Sequence, residues 1–333
     1  MSQPFSVAVA VSTAFALVIL ATAFGHAPAR AQNPLDSIVS IDAEIRHDAR
    51  TRDRLGLRRQ GSGVVLDEDG LILTIGYIVM EASAVEVETR DGATVPAEVI
   101  AYHAESGFGL LRTLVPVDVP SIEIGESASV ERGDRVLLAA FGGRDAVKPG
   151  AVVARRTYAG EWEYLLPDAI FTIPLHPNVP GAALIDGNGT LVGIGYLTLS
   201  QPVVARGIVP GNMFVPVDVL KPILDDLLDD GFVEGPRPPW LGLHAREVRD
   251  RVFVERVAAG GPADRAGIRP GDIVVEVGTE PVRSLEAFWR KLWEGRRAGD
   301  VVPLSVLGES EIETLDVHSI DRYEWFRLHE TTF

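Results

Sequence analysis

Nucleophilic chemistry needs a hydroxyl or thiol beside a base, with a third group to orient that base. The chain has no cysteine, which excludes a thiolate nucleophile, thiolate metal ligands and disulfides. Its seven histidines are His26, His47, His103, His176, His244, His318 and His329. Of these, His103 and His176 stand in segments that could do chemistry. The stretch "AYHAESGFGLLR" sets His103, Glu105 and Ser106 side by side. The stretch "LHPNVPGAALIDGNGTLVGIGY", Leu175 to Tyr196, carries His176 into a Pro/Gly-rich loop and two short apolar strands. A serine near a histidine and a carboxylate could serve acyl transfer, although an isolated loop serine is more often a turn residue. A metal site from His103, His176 and Glu105 would lack ligand spacing, so these read as solvated or core residues, and no metal or other cofactor is expected.

What could position such groups follows from length and pattern. At 333 residues, 46% hydrophobic and 23% charged, the chain suits two or three packed units with a sizeable core. Its 31 Lys+Arg against 47 Asp+Glu leave a net charge of -16 without any basic block, which argues against nucleic acid as a partner. The apolar run "FSVAVAVSTAFALVILATAF" is followed by Ala29-Arg30-Ala31, a small-x-small cleavage pattern, so residues 1–31 read as a secretory signal. The remainder is then expected to be periplasmic or secreted. The segment "MSQPF" before the run lacks Lys and Arg, and a run of about 20 residues is long enough to stay as a membrane anchor.

From residue 32 the pattern changes to short alternating segments bounded by Gly and Asp, as in "GSGVVLDEDGLILT" and "AVEVETRDGATVPAEVIAY", with "DEDG" and "RDG" as turn signals. This grammar continues to about residue 217 and predicts a mainly β fold, two barrels or a sandwich. A connecting helix and Pro-rich linker occupy 218–239, where Val219, Leu220, Ile223, Leu224, Leu227 and Leu228 fall at helical spacing and Gly231 ends the run. The aspartates from Asp225 to Asp230 read as its solvated face. A small mixed domain spans 240–320, with short helices at Pro262 to Ala266 and Leu285 to Leu292, and 321–333 form a C-terminal tail.

Two resemblances rest on these residues. "WLGL" opening a strand, "GGPADRAGIRPGDIVVEVGTEPV" and the helix "SLEAFWRKL" are similar to a PDZ domain of the bacterial HtrA type. Upstream, "GSGVVLDEDGLILT", "GFGLLR", "PGAALIDGNGTLVGI" and "NMFVPVDVLKPILDDLLDDG" resemble the trypsin-like HtrA protease domain in order and spacing. The resemblance implies a trypsin-like double β-barrel at 32–217 followed by a small α+β PDZ domain. It also implies a Ser, His and Asp at three positions, and the matching positions here hold Pro180, Tyr77 and Gly107. All three triad positions are therefore degenerate. Proline also lacks the backbone N–H that the resemblance assigns to an oxyanion hole, whose other donor aligns with Asn178. The expectation is a pseudoprotease with no catalytic residues, not an enzyme.

Positive function is expected in the PDZ-like segment. A Leu-Gly-Leu turn, Leu241, Gly242 and Leu243, can offer amides to a peptide carboxylate while the following strand pairs with an extended ligand and a helix closes the groove. Leu241, Leu243, Phe288 and Leu292 are the expected pocket walls; filling a small core is the competing assignment, strongest for Ile273, Val275 and Val277. Trp289, Trp293, Trp325 and Phe326 read as packing. The expected partners are protein C-terminal tails or unfolded envelope proteins, with the chain acting as adaptor, regulator or quality-control factor. Two alternatives are a serine endopeptidase with relocated residues, and a holdase-like chaperone or structural envelope protein. The resemblance implies a homo-oligomer, although Gln32 to Gln60 offers no aromatic residue for a trimer contact.

Overall fold

The computed structural model describes residues 33–200 and 209–326. The apolar N-terminal run, and the signal or anchor assigned to it, lie outside them. The expected mainly β architecture is what the chain adopts. Strands β1 (Ile38–Ile45), β2 (Arg58–Val65), β3 (Leu71–Ile75), β4 (Ala82–Glu88), β5 (Thr94–Tyr102) and β6 (Phe108–Thr113) close a barrel in the order β1-β2-β3-β6-β5-β4. Strands β7 (Arg135–Ala139), β8 (Val147–Gly160), β9 (Tyr164–Ile173), β10 (Ala183–Ile185), β11 (Leu191–Leu199) and β12 (Gly211–Pro216) close a second, β10-β11-β12-β9-β8-β7.

The same turn chemistry starts each barrel's central hairpin. In "DEDG" the Asp67 carboxylate accepts from the Asp69 and Leu71 amides, and Gly70 takes φ 77°. In "DGNG" Asp186 accepts from Asn188 and Thr190, and Gly189 takes φ 87°. An Asp side chain that replaces the backbone acceptor, with Gly supplying the left-handed residue, fixes the register of the strands on either side. Alternation then sends Val39, Ile41, Ala43, Leu73, Leu110 and Phe171 into the barrel cores.

After β12 the connecting segment is short turns followed by a helix at Leu224–Asp229, with Leu220 and Leu227 buried and the aspartates exposed. The third sheet contains β13 (Leu243–Glu247), β14 (Val252–Val257), β15 (Ile273–Val277), β16 (Glu280–Pro281), β17 (Val301–Leu307) and β18 (Ile312–His318), ordered β13-β14-β15-β17-β18 with β16 on β15. A helix at Leu285–Trp293 packs on it, started by Ser284, whose hydroxyl accepts from the Ala287 amide at 3.1 Å. Its buried face is Leu285, Phe288, Trp289 and Leu292. The chain then turns back: Trp325 packs tilted and Phe326 edge-on against Trp240, and the Ala104 amide of the first barrel donates to the Tyr323 hydroxyl at 2.9 Å. Among the described residues no helix is long and apolar enough to cross a membrane.

Candidate functional site

Backbone contacts gather Tyr77, Gly107 and Pro180, the three positions that the sequence resemblance matches to a Ser-His-Asp triad. The Gly76 amide donates to the Gly107 carbonyl at 2.7 Å, which sets Gly107 beside Tyr77. Gly61 lies between Ile78 and Pro180: a Cβ there would stand 2.2 Å from Ile78 Cδ1 and 2.9 Å from the Pro180 carbonyl oxygen. None of the three offers a group suited to proton transfer or attack. The Tyr77 hydroxyl donates to the Tyr196 carbonyl at 2.7 Å, and burial pushes the phenol well above its usual range. Gly107 has φ 81°, and a Cβ on it would sit 2.6 Å from the Tyr196 ring. Tyr196 is itself held by Trp162 at 5.9 Å and Tyr164 at 4.9 Å between stacked ring centroids. Aromatic rings thus fill the space that a carboxylate at position 107 would need.

The loop around Pro180 has turned its amides inward. Gly181 N–H donates to the Gly195 carbonyl at 2.8 Å and Ala182 N–H to the Val179 carbonyl at 2.9 Å. Asn178 N–H donates to His176 Nδ1 at 3.1 Å. His176 Nε2 in turn donates to the Ala146 carbonyl at 3.1 Å, so this buried imidazole is a neutral structural link with both nitrogens engaged. An oxyanion hole requires amides aimed at empty space in front of a nucleophile. These are committed elsewhere.

His103, Glu105 and Ser106 do come together. His103 Nδ1 lies 2.9 Å from Ser106 Oγ, and Nε2 lies 3.2 Å from the Glu105 carboxylate. The order of contacts is that of a triad, but Ser106 is 1% exposed and its surroundings explain the contacts as a turn. Its own amide donates to His103 Nδ1 at 3.2 Å, its Oγ accepts from the Phe108 amide at 3.2 Å, and its carbonyl accepts from Tyr164. The shallow depression that reaches His103 and Glu105 is not lined by Ser106. Among the described residues no cluster of metal-ligating side chains forms, and His176 is not joined to this turn.

Burial holds three histidines neutral. It lowers His103, against the pull of Glu105, and it lowers His176. His244 falls to about 3, from burial together with Arg54, Arg256 and Arg322. In each case the folded pKa is below the unfolded one, so the stabilisation is present above about pH 6.5 and is lost as pH falls toward the folded value. The melting temperature is expected to drop by about 5 °C between about pH 7.5 and pH 5. His244→Gln should flatten that slope by at least about half, as differential scanning fluorimetry across a pH series would show; an unchanged slope would remove His244 from the explanation.

The Leu241–Leu243 turn is built to hold a carboxylate, and it holds one from the same chain. Glu163, in the β8–β9 turn "GEWEY", accepts from the Leu241 amide at 3.0 Å, Gly242 at 2.7 Å and Leu243 at 2.8 Å. Two residues earlier, the Glu161 carbonyl accepts from the Ala245 amide on β13 at 2.8 Å. The Trp289 indole donates to the Gly160 carbonyl at 2.7 Å. Burial pushes the Glu163 carboxyl up, while Arg322 and the three amides pull it down. The side chains of Leu241, Leu243, Phe288 and Leu292 are fully buried within the core of the third sheet. A cavity of about 550 Å³ joins the two regions, lined by Tyr77 and Gly107 on one side and Gly242 and Leu243 on the other, with Arg54 and Trp162 between. Sequence reading missed Glu163 and Tyr196, whose partners are distant in the chain; the one available signal was a glutamate placed between aromatics in a turn.

Residues 61–194 match the trypsin-like peptidase domain family, and residues 239–318 match the PDZ domain family. A probable periplasmic serine endoprotease, DegP-like, of Hahella chejuensis is 29% identical over 229 residues, covering 65% of this chain and 47% of the relative. Its counterpart in Rhizobium meliloti is 26% identical over 289 residues, covering 82% and 55%. The chain therefore spans about half the length of these relatives. Among solved structures, the HtrA-type protease AlgW with a decapeptide superposes with a TM-score of 0.52 at 20% identity, covering 86% of this chain and 96% of that one. The serine endoprotease from Yersinia pestis gives 0.50 at 20% identity, covering 86% and 95%. With two closed barrels leading into a third sheet, the chain carries a trypsin-like peptidase domain followed by a PDZ domain, the arrangement of the HtrA-type relatives that it matches across both.

Proposed function

We propose that this protein is an exported, catalytically silent member of the family that engages the C-terminal tails of peptides or unfolded envelope proteins through its PDZ domain, as an adaptor, regulator or quality-control factor. The observation that carries the binding half is the convergence of three consecutive amides, Leu241, Gly242 and Leu243, on one carboxylate. A chain end presents the same group with a backbone able to pair with β13. The peptides named in the AlgW structures belong to that protein, and they support this reading for a PDZ domain in the same architecture. Silence is supported by the chemistry of Tyr77, Gly107 and Pro180. Export is supported by the N-terminal run and by relatives named periplasmic.

A fluorescein-labelled peptide with a free C-terminal carboxylate should bind saturably at high protein concentration. Its C-terminally amidated twin should bind at least about tenfold more weakly, because charge-assisted bonds to the turn are lost. Mass spectrometry should recover both peptides uncut. Equal binding of the two would sink the carboxylate reading. Cleavage would revive the endopeptidase with relocated residues, for which the Ser106, His103 and Glu105 contacts are the specific support.

A further inference from the structure

We propose that the PDZ groove is closed by the protein's own β8–β9 turn, with Glu163 standing in for the terminal carboxylate of a bound chain, so that a partner's chain end enters only by exchange with that turn. The proposal rests on the peptide-binding reading above and concerns its regulation.

The register is the first argument. An extended ligand added to an edge strand places its carboxylate in the amide turn and pairs its backbone further along that strand. Glu163 fills the turn, and Glu161, two residues before it, pairs with Ala245, two residues after Leu243. The turn therefore imitates the spacing of a ligand as well as its charge. Ala159 and Leu165 on either side pack against the PDZ core, and the Trp289 indole fixes the Gly160 carbonyl.

Glu163 is also held in an unfavourable state by this contact. Its φ is 54°, left-handed for a residue with a Cβ, and the residue is 1% exposed. A buried carboxylate without its donors is strongly destabilising, so the three amides are what keep it there. Arg322 adds a contact through the backbone, its guanidinium donating to the Glu163 carbonyl. A purely structural turn on the barrel surface would have no need of a glutamate facing the amides of another domain.

Tethering sets how strongly the groove is closed. A ligand on the same chain acts at an effective concentration on the order of millimolar, so a free peptide competes only with higher intrinsic affinity or high local abundance. The apparent affinity for a free end falls in proportion to the fraction of molecules with an open groove.

Glu163→Gln keeps the shape of the side chain and removes its charge. It should raise affinity for the carboxylate-ended peptide at least about tenfold over the unmodified protein, and hydrogen exchange at the Leu241, Gly242 and Leu243 amides should accelerate. Equal affinity in the two proteins would overturn the closure and leave the groove as a peptide site. Unaltered exchange would overturn it as well. Faster exchange with no peptide bound by either protein would sink the peptide-binding reading and the exchange mechanism with it. Titrating the unmodified protein with the peptide to millimolar concentration needs no folded variant: loss of exchange protection across 160–163 on binding supports the proposal, and a turn that stays protected while peptide binds overturns it.

Discussion

Treated with a serine-directed fluorophosphonate, the protein is expected to remain unlabelled, and its casein turnover should match a boiled control. Labelling requires an activated hydroxyl in front of amides free to take a developing oxyanion. Pro180 has neither hydroxyl nor N–H, and the neighbouring amides of Asn178, Gly181 and Ala182 already donate within the protein. Loss of the nucleophile or base alone costs about 10⁶ in rate in a protease whose oxyanion hole remains. Here the amides that such a hole would need donate elsewhere. Pro180→Ser alone should stay unlabelled, because the Tyr77 hydroxyl is bound to the Tyr196 carbonyl and is held protonated by burial. The combination of Tyr77→His, Gly107→Asp and Pro180→Ser should also fail, since the Tyr196 ring stands 2.6 Å from where any Cβ at position 107 would lie. Labelling of the natural protein that mapped to Ser106 would replace this account with the relocated triad.

Trp289→Ala is expected to cost about 3–5 kcal/mol in unfolding free energy, the range for removing a fully buried large aromatic. Trp289 has no exposed surface, stacks on Phe288 at 4.4 Å and on Trp293 at 6.1 Å, and reaches across to the Gly160 carbonyl. Two losses coincide, a cavity in the PDZ core and an unpaired carbonyl in the β8–β9 turn. Trp289→Phe separates them: most of the stacking stays, the indole donor goes, and the cost should be about 1–3 kcal/mol. Urea titrations of both variants would read this as two shifted midpoints. A Phe variant as stable as the unmodified protein would mean that the hydrogen bond contributes nothing, and equal costs would mean that the ring packing contributes nothing.

What the sequence made legible was local. The "DEDG" and "DGNG" turns announce hairpins because the side chain, the amide it binds and the left-handed glycine lie within five residues. Tyr77, Gly107 and Pro180 could be matched to triad positions because flanking residues keep the order and spacing of the resemblance. What surrounds those positions could not be found that way. Tyr196 is 119 positions from Tyr77, and Glu163 lies 78 to 80 positions from the amides it meets. No periodicity or turn rule joins residues so far apart. The apolar spacing of Leu243, Phe288 and Leu292 raises a similar difficulty, since an apolar face looks the same whether chain or ligand covers it.

The Tyr196 ring against Gly107 constrains the order in which substitutions at this site can be made. Restoring a carboxylate at position 107 while Tyr196 is present meets a clash, and removing Tyr196 first opens a hole among Trp162, Tyr164 and Tyr77. Either single step lowers stability before any catalytic advantage can appear, by about 1–3 kcal/mol for overpacking and about 3–5 kcal/mol for the emptied aromatic site. Selection for folding would therefore act as a ratchet at this site, and a carboxylate at position 107 could be reached only through a less stable intermediate.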